Sequence, residues 1–92
     1  MARGVVLPPA PETTQQRQAI ATLARVAPEA RAAEAAVGSA EWAFQEQAVA
    51  FELGRGDELR LAMAEHALDA AERLLRRKRA AVAGLKMLAP PY

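Results

Sequence analysis

Apolar residues recur through Asp57–Leu88, DELRLAMAEHALDAAERLLRRKRAAVAGLKML, at steps of mostly three and four. Leu59, Met63, Ala67, Ala70, Leu74, Ala81, Leu85 and Leu88 make one stripe. Leu61, Ala64, Leu68, Ala71, Leu75 and Val82 make a second, about a third of a turn away. This spacing predicts a long amphipathic helix. The two stripes together are wider than a two-stranded seam requires. The acids Asp57, Glu58, Glu65, Asp69 and Glu72 lie in its first half, and Arg73, Arg76, Arg77, Lys78, Arg79 and Lys86 in its second. That order opposes the helix macrodipole at both ends and so favours the helix.

Upstream, Val37, Ala40, Phe44, Ala48 and Phe51 share one helical face, while Trp42, Val49 and Leu53 lie roughly opposite. A second long helix over residues 28–53 follows, with a candidate interruption at Gly38-Ser39. Its two apolar sides need covering from two directions. Ile20, Leu23, Ala24 and Ala27 predict a short first helix over residues 12–27, capped by Thr13 or Thr14. Ala27-Pro28 reads as the boundary between these two helices, because proline disfavours helical geometry in the residue before it. Gly54 is a candidate C-cap and Asp57 a candidate N-cap, joined through Gly54-Arg55-Gly56-Asp57. The long helices then form either a hairpin or a rod kinked at Gly54–Gly56. Turn chemistry explains the Arg-Gly-Asp tripeptide without an adhesion receptor.

Residues 1–11, with Pro8, Pro9 and Pro11, predict an extended arm, and Pro90-Pro91 stop the last helix. The expectation is an all-α protein: arm 1–11 and a single helical domain over 12–92, made of one short and two long helices. Alanine sharpens this picture. It supplies 24 of the 92 residues, and only Trp42, Phe44, Phe51 and Tyr92 are aromatic. Alanine favours helix but buries little area, so the chain's own core should be thin. Trp42, Phe44, Phe51, Leu59, Met63, Leu74, Leu85 and Leu88 are therefore the candidate protein interface.

The net charge of +1 supplies no global field toward nucleic acid or membrane. Locally, Arg73, Arg76, Arg77, Lys78 and Arg79 could contact phosphates. However, these bases run around the helix, and no aromatic is interleaved for stacking. Arg77 and Lys78 fall near the apolar seam, where Glu41, Glu46 and Glu52 are candidate ion-pair partners. There is one His and no Cys, and Ser39 is the only Ser. Glu65, His66 and Asp69 share part of a helical surface but lack a second cluster to complete a metal site. No phosphate loop is present, so no catalytic, cofactor or metal site is expected. No apolar run is long enough for a transmembrane helix, and the N-terminus does not read as a cleaved secretory signal.

From Phe44 onward the sequence resembles the flagellar hook–basal body protein FliE family. The matching pattern is Gln47, Ala48, Val49, Phe51, Gly54, Asp57, Leu59 and Met63, then Arg77, Lys78 and Val82, then Lys86, Met87 and Leu88. It covers residues 44–88, about half the chain. Arg60 stands where the family has His, Glu58 is inserted before Leu59, Leu85 stands where the family has Tyr, and a small gap follows Met63. The resemblance implies a small helical protein that packs side by side in a ring, joining the inner-membrane ring and export gate to the rod. The inner-rod proteins of type III secretion systems are the nearest variant. It also implies export to the periplasmic basal body without a cleaved signal; the residues themselves leave the compartment open, with a cytoplasmic location as the other reading. The reading is a non-enzymatic assembly protein whose partners are other helical proteins or copies of itself. The rival readings are a secretion chaperone or adaptor, and a nucleic-acid-binding protein using residues 73–79.

Overall fold

The computed structural model describes residues 14–88, which form two α-helices and no strand. Helix α1 runs Thr14–Glu52 and helix α2 runs Glu58–Leu88. They fold back on each other as an antiparallel hairpin, which decides against the kinked rod. At about 1.5 Å per residue, α1 is roughly 58 Å long and α2 roughly 46 Å. The expected arm at 1–11 and the proline stop at 90–91 lie outside the described residues.

Gly54 and Asp57 make the reversal. Gly54 adopts a left-handed φ of 73° just past the end of α1. Its N–H donates to the Phe51 carbonyl at 3.0 Å, and the Arg55 N–H donates to the Ala50 carbonyl at 2.8 Å. This pair of bonds is a Schellman closure, which satisfies carbonyls that the helix end would leave open. Three residues later, the Asp57 carboxylate accepts the Leu59 N–H at 2.8 Å and caps α2.

The seam follows a heptad. On α1, Ala19, Val26 and Ala33 are buried, and Val37, Ala40, Phe44 and Gln47 continue the row half-buried. On α2, Leu61, Ala64, Leu68, Ala71, Leu75, Lys78, Val82 and Leu85 recur at alternating steps of three and four. Leu75 is the buried member of this row. Such spacing keeps two helices in register along one line. Of the two α2 stripes in the sequence, the one containing Leu61, Leu68 and Leu75 therefore faces inward.

The expected short helix over 12–27 is not separate. Helix α1 continues through Pro28, and also through Gly38-Ser39. Pro28 cannot donate to the Ala24 carbonyl, but both residues are exposed, so that carbonyl can face water. Val26 and Ala33 are buried on either side and hold the backbone against α2. Tertiary packing thus overrides the local tendency of proline to end a helix.

Candidate functional site

Six of the eight candidate interface residues are on the outside. Trp42 is 66% exposed, Leu59 66%, Met63 62%, Phe51 45%, Leu88 45% and Leu74 39%. Phe44 and Leu85 are half-buried in the seam, where the hairpin itself uses them. Val49, Leu53 and Met87 are also exposed.

Six of these nine exposed side chains fall in two patches. Trp42, Val49 and Leu53 follow at steps of seven and four on the side of α1 that faces away from α2. With Gln45, Glu46, Ala50 and Arg55 they line an open groove at the turn end. Met63, Ala67, Leu74, Ala81 and Leu88 form the second patch, along one flank of α2. On the same side of the hairpin, α1 presents Ala36 and Ala43, both exposed. Sequence periodicity identified the α2 stripe. The α1 alanines became legible only once the hairpin set which flanks lie together.

The opposite side of the hairpin is polar. Glu34 and Glu41 of α1 line a groove with Glu72, Arg76 and Arg79 of α2. Arg79 meets Glu34 at 3.7 Å, and both are well exposed. On the apolar side, Lys78 leans out of the seam and donates to Glu29 at 2.7 Å. That hydrogen bond, with the charge of Lys78, holds the Glu29 carboxyl below the usual glutamate range. Arg73 pairs with Asp69 one turn before it, at 2.7 Å.

Arg73, Lys78 and Arg79 are thus engaged by carboxylates of the protein itself, while Arg76 and Arg77 are exposed with Arg73 along a shallow depression. The acids that meet the cluster from α1 are Glu29 and Glu34, in place of the expected Glu41, Glu46 and Glu52. The reason is register. A turn centred near Gly56 sets residues 73–79 against the middle of α1, where Glu41 lines a groove with Arg76 and Arg79, whereas Glu46 and Glu52 lie beside the turn.

Glu65, His66 and Asp69 line an open depression on α2 alone. No group of three or more potential metal ligands converges among the described residues. No described helix is long and apolar enough to cross a membrane. Compared with family models, curated proteins and solved structures, the chain matches none.

Proposed function

We propose that this chain is a non-enzymatic assembly protein that packs through its helices into a larger complex. One observation carries the reading: the hairpin leaves Met63, Leu74 and Leu88 on one flank, and Trp42, Val49 and Leu53 on another, open to solvent. Isolated surface leucines need no explanation, but aligned rows of large apolar side chains mark interaction surfaces. Only four of the described residues are buried, so a further helix laid on either row would extend a thin core. The partner chemistry is an amphipathic helix. In the setting implied by the FliE resemblance, such helices would belong to neighbouring subunits of a basal-body or secretion rod.

Among the alternatives, a chaperone or adaptor would use the same rows on one partner at fixed stoichiometry. Nucleic-acid binding draws less support, because three of the five bases at 73–79 are already paired with carboxylates. The test is isolation of the tagged full chain from its source cell, with mass measurement of the intact complex. A complex much heavier than the 9.8 kDa chain is expected. Recovery of a bare monomer overturns the reading, and a single fixed partner would make it an adaptor.

A further inference from the structure

We propose that two copies of this chain pair side by side and antiparallel through the face carrying Ala36, Ala43, Met63, Ala67, Leu74 and Ala81, closing a four-helix bundle. The inference rests on the assembly reading and names the occupant of one of its two patches.

Charge selects both the occupant and its direction. Across residues 40–70, the turn half of the hairpin, the sequence holds seven carboxylates and two arginines. Across residues 14–39 and 71–88, the open half, it holds nine bases and three carboxylates. The formal charge of +1 thus conceals two halves of about −5 and +6. A neighbour in the same direction would set like halves together, which is repulsive. A reversed copy sets each acidic turn half against a basic open half. No other partner need be invoked to supply that distribution, because the chain inverted already has it.

The face itself is suited to close packing. Its α1 contribution is mainly alanine, which lets helix axes approach, and α2 supplies Met63 and Leu74 as knobs. Bases and acids dominate the opposite side, so a buried interface there would have to desolvate Glu34, Glu41, Glu72, Arg76 and Arg79, whereas the charges on the chosen side are Arg77 and the Lys78–Glu29 pair, which is already matched. The two-fold arrangement is closed, so it stops at a dimer unless the Trp42 patch adds further contacts.

The chain contains no cysteine, so single-cysteine variants report geometry directly. Leu74 lies near the midpoint of α2, beside the expected two-fold axis. Met63 lies eleven residues away, which puts it about 33 Å from its mate in an antiparallel pair. A disulfide requires Cα atoms within about 7 Å. In the full chain under mild oxidation, Leu74→Cys should cross-link to itself and Met63→Cys should not. Sedimentation equilibrium should show a dimer whose Kd rises on the order of tenfold or more between low salt and about 1 M salt, where charges are screened beyond about 3 Å. Emission from Trp42, the single Trp, should remain that of an exposed indole on dimerisation.

Cross-linking of both variants means a parallel pair and overturns the proposal. So does a monomer at all concentrations, or a dimer that forms with a blue shift of Trp42. If the complex from cells holds one copy of the chain beside other proteins, self-pairing falls and the assembly reading stands. A bare monomer in cells removes both.

Discussion

A methyl group placed on Gly56 would sit 2.5 Å from the Phe51 amide nitrogen and 2.6 Å from its Cα. Backbone cannot yield as a side-chain tip does, so Gly56→Ala should open the reversal. A loss of about 1–3 kcal/mol is expected, as for other overpacked sites, and urea denaturation followed by circular dichroism measures it. Gly54 differs, because its surroundings are open and only its left-handed φ resists a side chain. Gly54→Asn should therefore cost less than Gly54→Ala. Glu29 makes the clearest pH statement. Its carboxyl is held low by the Lys78 hydrogen bond and charge. A depressed folded value contributes stability above the ordinary glutamate value of 4.5 and loses it as pH falls through the lower folded value. Glu29→Gln should flatten that acid limb. Comparing the pH dependence of the denaturation midpoint in the two proteins decides the point.

At the scale of the helices, packing into the seam separates residues that look alike in sequence. Leu75 is 8% exposed and Leu59 is 66% exposed. Leu75→Ala should cost about 2–5 kcal/mol, whereas Leu59→Ala in the isolated hairpin should stay within about 0.5 kcal/mol. Chemical denaturation of both variants under dilute conditions is the measurement. Periodicity already placed both leucines on α2 and both stripes on a helix. It did not say which stripe would turn inward, because that depends on the rotation set by Gly54, Gly56 and Asp57. The caps themselves were legible, since glycine and aspartate at those positions follow from backbone rules alone. Pro28 was misleading for the opposite reason. The rule that proline ends a helix is local, and the buried Val26 and Ala33 on either side are held by a helix more than forty residues away. Pro28→Ala should restore a donor to Ala24 and stabilise the hairpin by up to about 3 kcal/mol, the interior cost of proline. Part of that gain is offset by the greater freedom of the unfolded chain. A rise in the thermal midpoint is expected, and a fall would mean that a bend at Pro28 is needed for the seam.

For the whole molecule, the proposed pairing on a thin seam predicts that folding and association are coupled. Ala19, Val26, Ala33 and Leu75 are the buried core of the described residues, and nine large apolar side chains, Trp42, Met63 and Leu74 among them, are exposed on the single hairpin. Association of folded hairpins binds the native state and not the unfolded chain, so it raises stability by mass action. The thermal midpoint should therefore climb with protein concentration. A lone hairpin that closed its own core would melt at one temperature throughout. Salt separates the causes further. Surface pairs such as Arg73–Asp69 are exposed and contribute little, so a monomer should respond weakly to added salt. The opposed halves of two reversed hairpins present many charges to each other at once, and screening them should lower the midpoint most where association is greatest. Circular dichroism melts over about a hundredfold range of concentration, each at low salt and at about 1 M salt, test both statements together. A midpoint that rises with concentration and loses that dependence in salt is the signature of charge-directed pairing. A midpoint indifferent to concentration would leave the Met63–Leu74 flank without a role in the stability of the fold.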